Sequence, residues 1–239
     1  MEEFLIKNYT IITHSVEILS ALTGLLLYRK YKLIAAKFFI WFLVYLSLCD
    51  FIGGYVNYIA DNDIFSYLKD TVFSRNFWWT TLYWKIGAIL FFVFYYNKIL
   101  KTEVFKIVIK YCCYLFLVFS IIYIIFNWND YFIRFFPIIS VLGAIIIFIC
   151  TVFYFVEMLQ SDRTLTFYKS IDFYISVAIF IWWLIITPIV FYDIYGEYRD
   201  INYIHLRRYI YLSANVIMYL TFTFALIFCK PDNEINMIN

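Results

Sequence analysis

Seven blocks of mostly apolar residues divide this chain. They run at about Thr10–Tyr28, Phe38–Ile59, Phe77–Tyr96, Ile107–Phe126, Phe135–Leu159, Ser170–Tyr192 and Tyr209–Cys229. A helix that crosses the hydrocarbon of a bilayer needs roughly 20 such residues. Strands of a membrane barrel would alternate apolar and polar positions over about 10 residues, whereas here both faces stay apolar through each block. The pattern predicts an all-α membrane protein, a seven-transmembrane helix bundle that takes up residues 1–239 as one polytopic domain. Between the second and third blocks, Phe65, Leu68 and Val72 recur at helical spacing beside Lys69 and Asp70. That fits a short helix lying in the membrane interface.

Composition sharpens this picture. Of 239 residues, 65% are hydrophobic and 15% charged, against about 45–50% and about 25% in soluble domains. A separate soluble module has no room here, and a net charge of +2 argues against a nucleic-acid partner. The first block is not read as a signal peptide. Its leading residues, Met1-Glu2-Glu3, are acidic rather than basic, and His14 and Glu17 interrupt its apolar run.

Lys and Arg in the loops set the expected orientation. The side holding the N-terminus carries Lys7, Lys69, Arg75, Arg134, Arg199, Arg207 and Arg208. The opposite side carries Arg29, Lys30, Lys32, Lys37, Lys98, Lys101, Lys106, Lys110, Arg163, Lys169 and Lys230. The expectation is an N-terminus outside and a C-terminus in the cytoplasm, in a multi-pass protein of the cell (plasma or inner) membrane. Glu157 and Asp172 then fall near the cytoplasmic ends of spans 5 and 6 and read as solvated or snorkelling ends.

The chain holds 28 Phe, 24 Tyr and 7 Trp. Trp78, Trp79 and Trp84 near the outer end of span 3 read as an interfacial belt, in preference to an aromatic cage. Cys49, Cys112, Cys113, Cys150 and Cys229 all lie in or at the end of spans, so they read as apolar packing residues and not as a disulfide framework.

The chemistry is concentrated in a few polar positions inside the apolar blocks. An ionisable group there costs about 2.5–3.5 kcal/mol on insertion scales and normally faces the bundle interior. His14 and Glu17 in span 1, Asp50 in span 2 and Lys85 in span 3 fall about 6, 10, 13 and 12 Å below the outer boundary at about 1.5 Å per residue. Ser47, Asp50, Gly54 and Asn57 share a stripe of span 2, and Thr81, Lys85 and Ala88 share one of span 3. Small and polar stripes mark helix interfaces in lipid. The expected arrangement is a Lys85–Asp50 pair with Glu17 and His14 beside it, serving as a ligand or ion-pair cluster. Asn57, Trp84, Trp182, Thr187, Asn215 and Tyr219 are the candidate pocket lining, with a kink at Pro188.

Seven spans with an outside N-terminus invite comparison with several families, and the sequence carries the motif of none. A retinal-binding bundle needs a lysine in span 7. A G-protein-coupled receptor pattern needs an acidic-Arg pair at the inner end of span 3, where this chain reads Phe94-Tyr95-Tyr96-Asn97-Lys98. A PQ-loop transporter needs Pro-Gln, and a seven-span zinc hydrolase needs several intramembrane histidines. No catalytic constellation, cofactor or metal is assigned, and an enzyme is not expected. The sequence points to a sensory or receptor-like protein with a polar site in the outer half of the bundle. Its expected partners are the lipid bilayer and a cytoplasmic signalling protein, and its ligand is unknown. The alternatives are a small proton-coupled secondary transporter and a purely structural membrane subunit.

Overall fold

In the computed structural model of the chain, the described residues are 8–32, 34–61, 67–69, 71–161, 166–195 and 201–229. They form helices, with no strand among them. Seven helices are long and apolar enough to cross a membrane. They are α1 (Tyr9–Leu26), α2 (Ala35–Ile59), α3 (Phe77–Ile99), α4 (Glu103–Phe126), α5 (Pro137–Leu159), α6 (Ile171–Asp193) and α7 (Tyr203–Phe228). The protein is a seven-helix integral membrane bundle. Odd and even helices run in opposite directions, so one face of the bundle holds the start of α1 and the other the end of α7.

The helices close into a ring. α1 packs between α2 and α7, α7 packs on α6, and α6 on α5. α5 in turn meets both α3 and α4, and α3 closes against α2. Close approach is made by small residues. A Cβ on Gly24 would meet Ile40 Cγ2 at 3.0 Å, and one on Gly143 would meet Ile89 Cγ1 at 3.0 Å. These two positions seat α1 on α2 and α5 on α3 at distances that a side chain would forbid.

Several helices run past the apolar blocks that predicted them. Helix continues from Ile201, two turns before the block at Tyr209. Hydropathy ends at Arg207 and Arg208, but backbone hydrogen bonding does not, because Arg207 finds an acid on α6. The helix of α4 begins at Glu103, where Lys106 Nζ meets Glu103 Oε1 at 2.8 Å, one turn apart. A short helix absent from the sequence reading, Trp128–Ile133, follows α4. Tyr131 on it donates to the Trp78 carbonyl at 3.0 Å. Phe65 and Asp70 of the expected interfacial helix lie outside the described residues. What is described there includes a 3-10 turn over Val72–Ser74, in which Thr71 Oγ1 accepts from the Phe73 N–H.

Two helices are irregular, and both irregularities lie towards the N-terminal face. In α2 the α-helix stops at Gly53 and resumes at Tyr55. The Asn57 N–H bonds the Gly54 carbonyl at 3.0 Å, and the Gly53 carbonyl accepts from Asn76 Nδ2 instead. In α3, residues Thr81–Ala88 form a π-helix between two α-helical stretches. Such wide turns are rare and concentrate at functional sites.

The opposite half is regular and filled. Phe39, Ile40 and Leu43 of α2, Phe92, Tyr95 and Tyr96 of α3 and Phe222 of α7 are all fully buried there. Phe39 stands edge-on to Phe222 with centroids 5.0 Å apart. Hydrogen bonds tie this face together. Tyr95 donates to Asp172, and Tyr96 donates to Ser176 at 2.9 Å. Glu157 accepts from the Lys101 and Thr102 amides, so it caps the start of α4. Glu157 and Asp172, both partly exposed, are cross-helix ties as well as solvated helix ends. Lys30 and the buried Tyr31 donate to the last carbonyls of α7, Lys30 to Ile227 and Tyr31 to Leu226, each at 2.7 Å. Burial holds the Tyr31 phenol above its ordinary range, so it stays a donor.

Candidate functional site

The site begins with helical spacing. His14 and Glu17 are three residues apart on α1 and so share one face. Glu17 belongs to the buried stripe Thr13, Glu17, Ser20, Ala21 and Gly24, which faces α2 and α7. Asp50 sits on α2 one turn before the Gly53–Gly54 interruption. His14 Nδ1 lies 3.4 Å from Glu17 Oε2 and 3.4 Å from Asp50 Oδ2. One ligating atom from each of the three residues lies within 4.8 Å of the others. Glu17 is 5% exposed, and the Asp50 side chain 31%, so the cluster opens at its Asp50 edge.

Two tyrosines complete it. Tyr83 donates its hydroxyl to Asp50 Oδ1 at 2.6 Å. Tyr219 of α7, 3% exposed, is buried near enough for Glu17 to act on its hydroxyl electrostatically. Four helices thus converge on two carboxylates and one imidazole. Thr13 Oγ1, one turn from Glu17 on the same stripe, is buried without a hydrogen-bond partner.

Lys85 is not part of this cluster. Among the described residues, no carboxylate lies within ion-pairing distance of its Nζ. Instead Nζ sits 4.9 Å from the Phe135 ring centre and 5.5 Å from that of Trp183. The expected Lys85–Asp50 pair is therefore corrected to a Tyr83–Asp50 hydrogen bond. The reason is angular. Tyr83 and Lys85 are two residues apart, and such residues project to roughly opposite sides of a helix. Matching depth brought Lys85 level with Asp50 but left it facing α6 and the segment that leads into α5.

The charges that act on Lys85 are those of Arg207 and Asp193. Arg207 Nη2 lies 3.0 Å from Asp193 Oδ2, whose side chain is fully buried. The distance makes an ion pair, although Oδ2 accepts no hydrogen bond. Tyr203 donates to Asp193 Oδ1 at 2.7 Å. The sequence reading placed Arg207 in a loop and missed this pair. The signal was present as two opposite charges flanking a loop between antiparallel spans.

The candidate lining residues separate into groups. Tyr219 joins the cluster. Trp182 donates to Asn215 Oδ1 at 2.7 Å, and Trp84 stands edge-on to Trp182 with centroids 5.1 Å apart. These three tie α3, α6 and α7 together apart from His14 and its partners. The Thr187 hydroxyl bonds back to the Trp183 carbonyl at 2.6 Å, beside Pro188, and so is satisfied within its own helix. Asn57, expected to line a pocket, is exposed. The exposure of Asn57 follows from the broken helix at Gly54, after which the α2 stripe no longer points one way. Trp79 donates to the Cys49 carbonyl at 2.7 Å and Trp78 to the Tyr55 hydroxyl at 3.3 Å. These two belt residues thus pin α3 to α2. All five cysteines are free thiols.

No protein-family model, curated protein or solved structure matches this chain. The functional reading rests on the residues themselves.

Proposed function

We propose that the protein is a receptor-like membrane protein that binds a cationic ligand at His14, Glu17 and Asp50. On this reading the N-terminal face is outside, the bundle lies in the cell membrane, and occupancy is passed to a signalling protein at the cytoplasmic face. The observation that carries it is the asymmetry of the bundle. The His14–Glu17–Asp50 cluster, the π-helix and the Gly53–Gly54 interruption gather in one half. The other half is closed by fully buried aromatic and aliphatic side chains and cross-helix hydrogen bonds. Two adjacent carboxylates disfavour each other's ionisation, so the cluster favours a positively charged occupant.

A proton-coupled transporter is the second reading, favoured by the helix interruptions beside the acids. It requires a path through the filled half. Proteoliposomes with an internal pH dye, driven by a membrane potential, separate the two. The receptor reading expects no proton entry above protein-free vesicles. Entry that Glu17→Gln abolishes would establish transport instead. Neutralising both acids, Glu17→Gln with Asp50→Asn, mimics an occupied site. It should change hydrogen exchange at the Lys101 and Thr102 amides on the far face. Unchanged exchange there would leave the cluster as a structural tie.

A further inference from the structure

We propose that the occupant of this cluster is a divalent transition-metal ion, of which Zn2+ is the reference case, held by His14 Nδ1, Glu17 Oε2 and Asp50 Oδ2. The inference rests on the reading of the cluster as a cation-binding site and names the cation.

Distance is the first argument. Charge-assisted hydrogen bonds between nitrogen and carboxylate oxygen run about 2.7–2.9 Å. Both contacts of His14 Nδ1 are 3.4 Å, longer than such bonds, and the one to Glu17 is a weak hydrogen bond. Ligands bound to zinc at about 2.0–2.1 Å and tetrahedral angles stand about 3.3 Å apart. The imidazole nitrogen therefore keeps the spacing of a shared metal from both acids, while the two carboxylate oxygens stand within 4.8 Å of each other.

Charge is the second argument. Two carboxylates and a neutral imidazole carry two negative charges, which a divalent cation cancels, and an uncancelled charge at this depth is costly. Support around the ligands is the third. Tyr83 fixes the free oxygen of Asp50. Such outer partners orient metal ligands and hold their affinity. One imidazole with two carboxylates suits zinc, manganese or ferrous iron better than the all-oxygen shells that calcium and magnesium prefer. Three protein ligands leave a fourth position open at the exposed edge of Asp50.

The test uses the full chain purified in detergent and stripped with a chelator. Titration with Zn2+ should show one site per chain, and Co2+ should give the intense visible absorption of a tetrahedral centre. His14→Gln and Asp50→Asn should each weaken Zn2+ binding about 10–100-fold or more, and Tyr83→Phe less. His205→Gln should bind like the wild type. Gel filtration verifies that each variant is folded. Because Co2+ absorption reports the ligand set, it also excludes binding by the five cysteines. No stoichiometric Zn2+, Mn2+ or Co2+ binding by the wild type would overturn the proposal, and so would binding unchanged in both His14→Gln and Asp50→Asn. The flux and exchange experiments are performed without metal, so they decide the receptor reading separately.

Discussion

Tyr83 donates its hydroxyl to Asp50 Oδ1 across 2.6 Å. The phenol comes from the π-helical stretch of α3 and the acid from the turn before the break in α2, so this one bond joins the two irregular segments. Tyr83→Phe leaves a carboxylate oxygen short of a donor. It should cost about 1–3 kcal/mol, read as a lowered melting temperature in detergent.

The same geometry makes Lys85 and Asp50 independent. Lys85→Met and Asp50→Asn should combine additively, within about 0.3–0.5 kcal/mol. A double-mutant cycle on thermal stability gives the answer. Coupling of several kcal/mol would mean that the ammonium does reach Asp50.

Asp193 and Arg207 form the buried ion pair of the bundle's N-terminal face. Removing Arg207 strands the fully buried Asp193, which costs about 3–5 kcal/mol, whereas replacing both with apolar residues is often nearly neutral. Arg207→Met should destabilise strongly and Asp193→Leu less, because Arg207 is a third exposed, and the double variant should recover most of the Arg207→Met loss. Full additivity of the two losses would refute the pair.

Gly143 seats α5 against α3, where an added Cβ would stand 3.0 Å from Ile89 Cγ1 and 3.1 Å from its Cδ1. Gly143→Val forces the helices apart at the π-helix and should cost about 1–3 kcal/mol. Gly143→Val combined with Ile89→Ala should regain part of that loss. If it regains nothing, Ile89 is not what the added side chain meets.

Orientation is open to chemical labelling. With single cysteines placed on a background whose five native thiols are replaced, an impermeant reagent outside cells should reach Tyr67 and Arg134. It should miss Thr102 and Tyr168. The reverse result would put the His14 cluster on the cytoplasmic side and turn the receptor reading inside out.

Much of the architecture was legible because the cost of an apolar residue in water, or of a polar one in lipid, is set locally. Each block of about 20 residues had to be a helix crossing the membrane. The layer occupied by His14, Glu17 and Asp50 followed from counting residues at a fixed rise. The helix ends were less legible, since the start of α7 is extended by a partner, Asp193, 14 residues away in sequence.

Rotation about each helix axis was decided only by the tertiary structure. Depth in the membrane is a property of one helix, but which side chain faces which neighbour depends on all the helices packed around it. Lys85 and Tyr83 share a depth with Asp50, and the π-helix turns the phenol towards α2 and the ammonium towards Phe135 and Trp183. Asn57 left its stripe because α2 breaks at Gly54. The sequence by itself determined that charged groups would meet in one layer, because the hydrocarbon leaves them nowhere else to go. The packing of α1, α2, α3 and α7 decided that the groups that meet are an imidazole and two carboxylates, 3.4 Å apart.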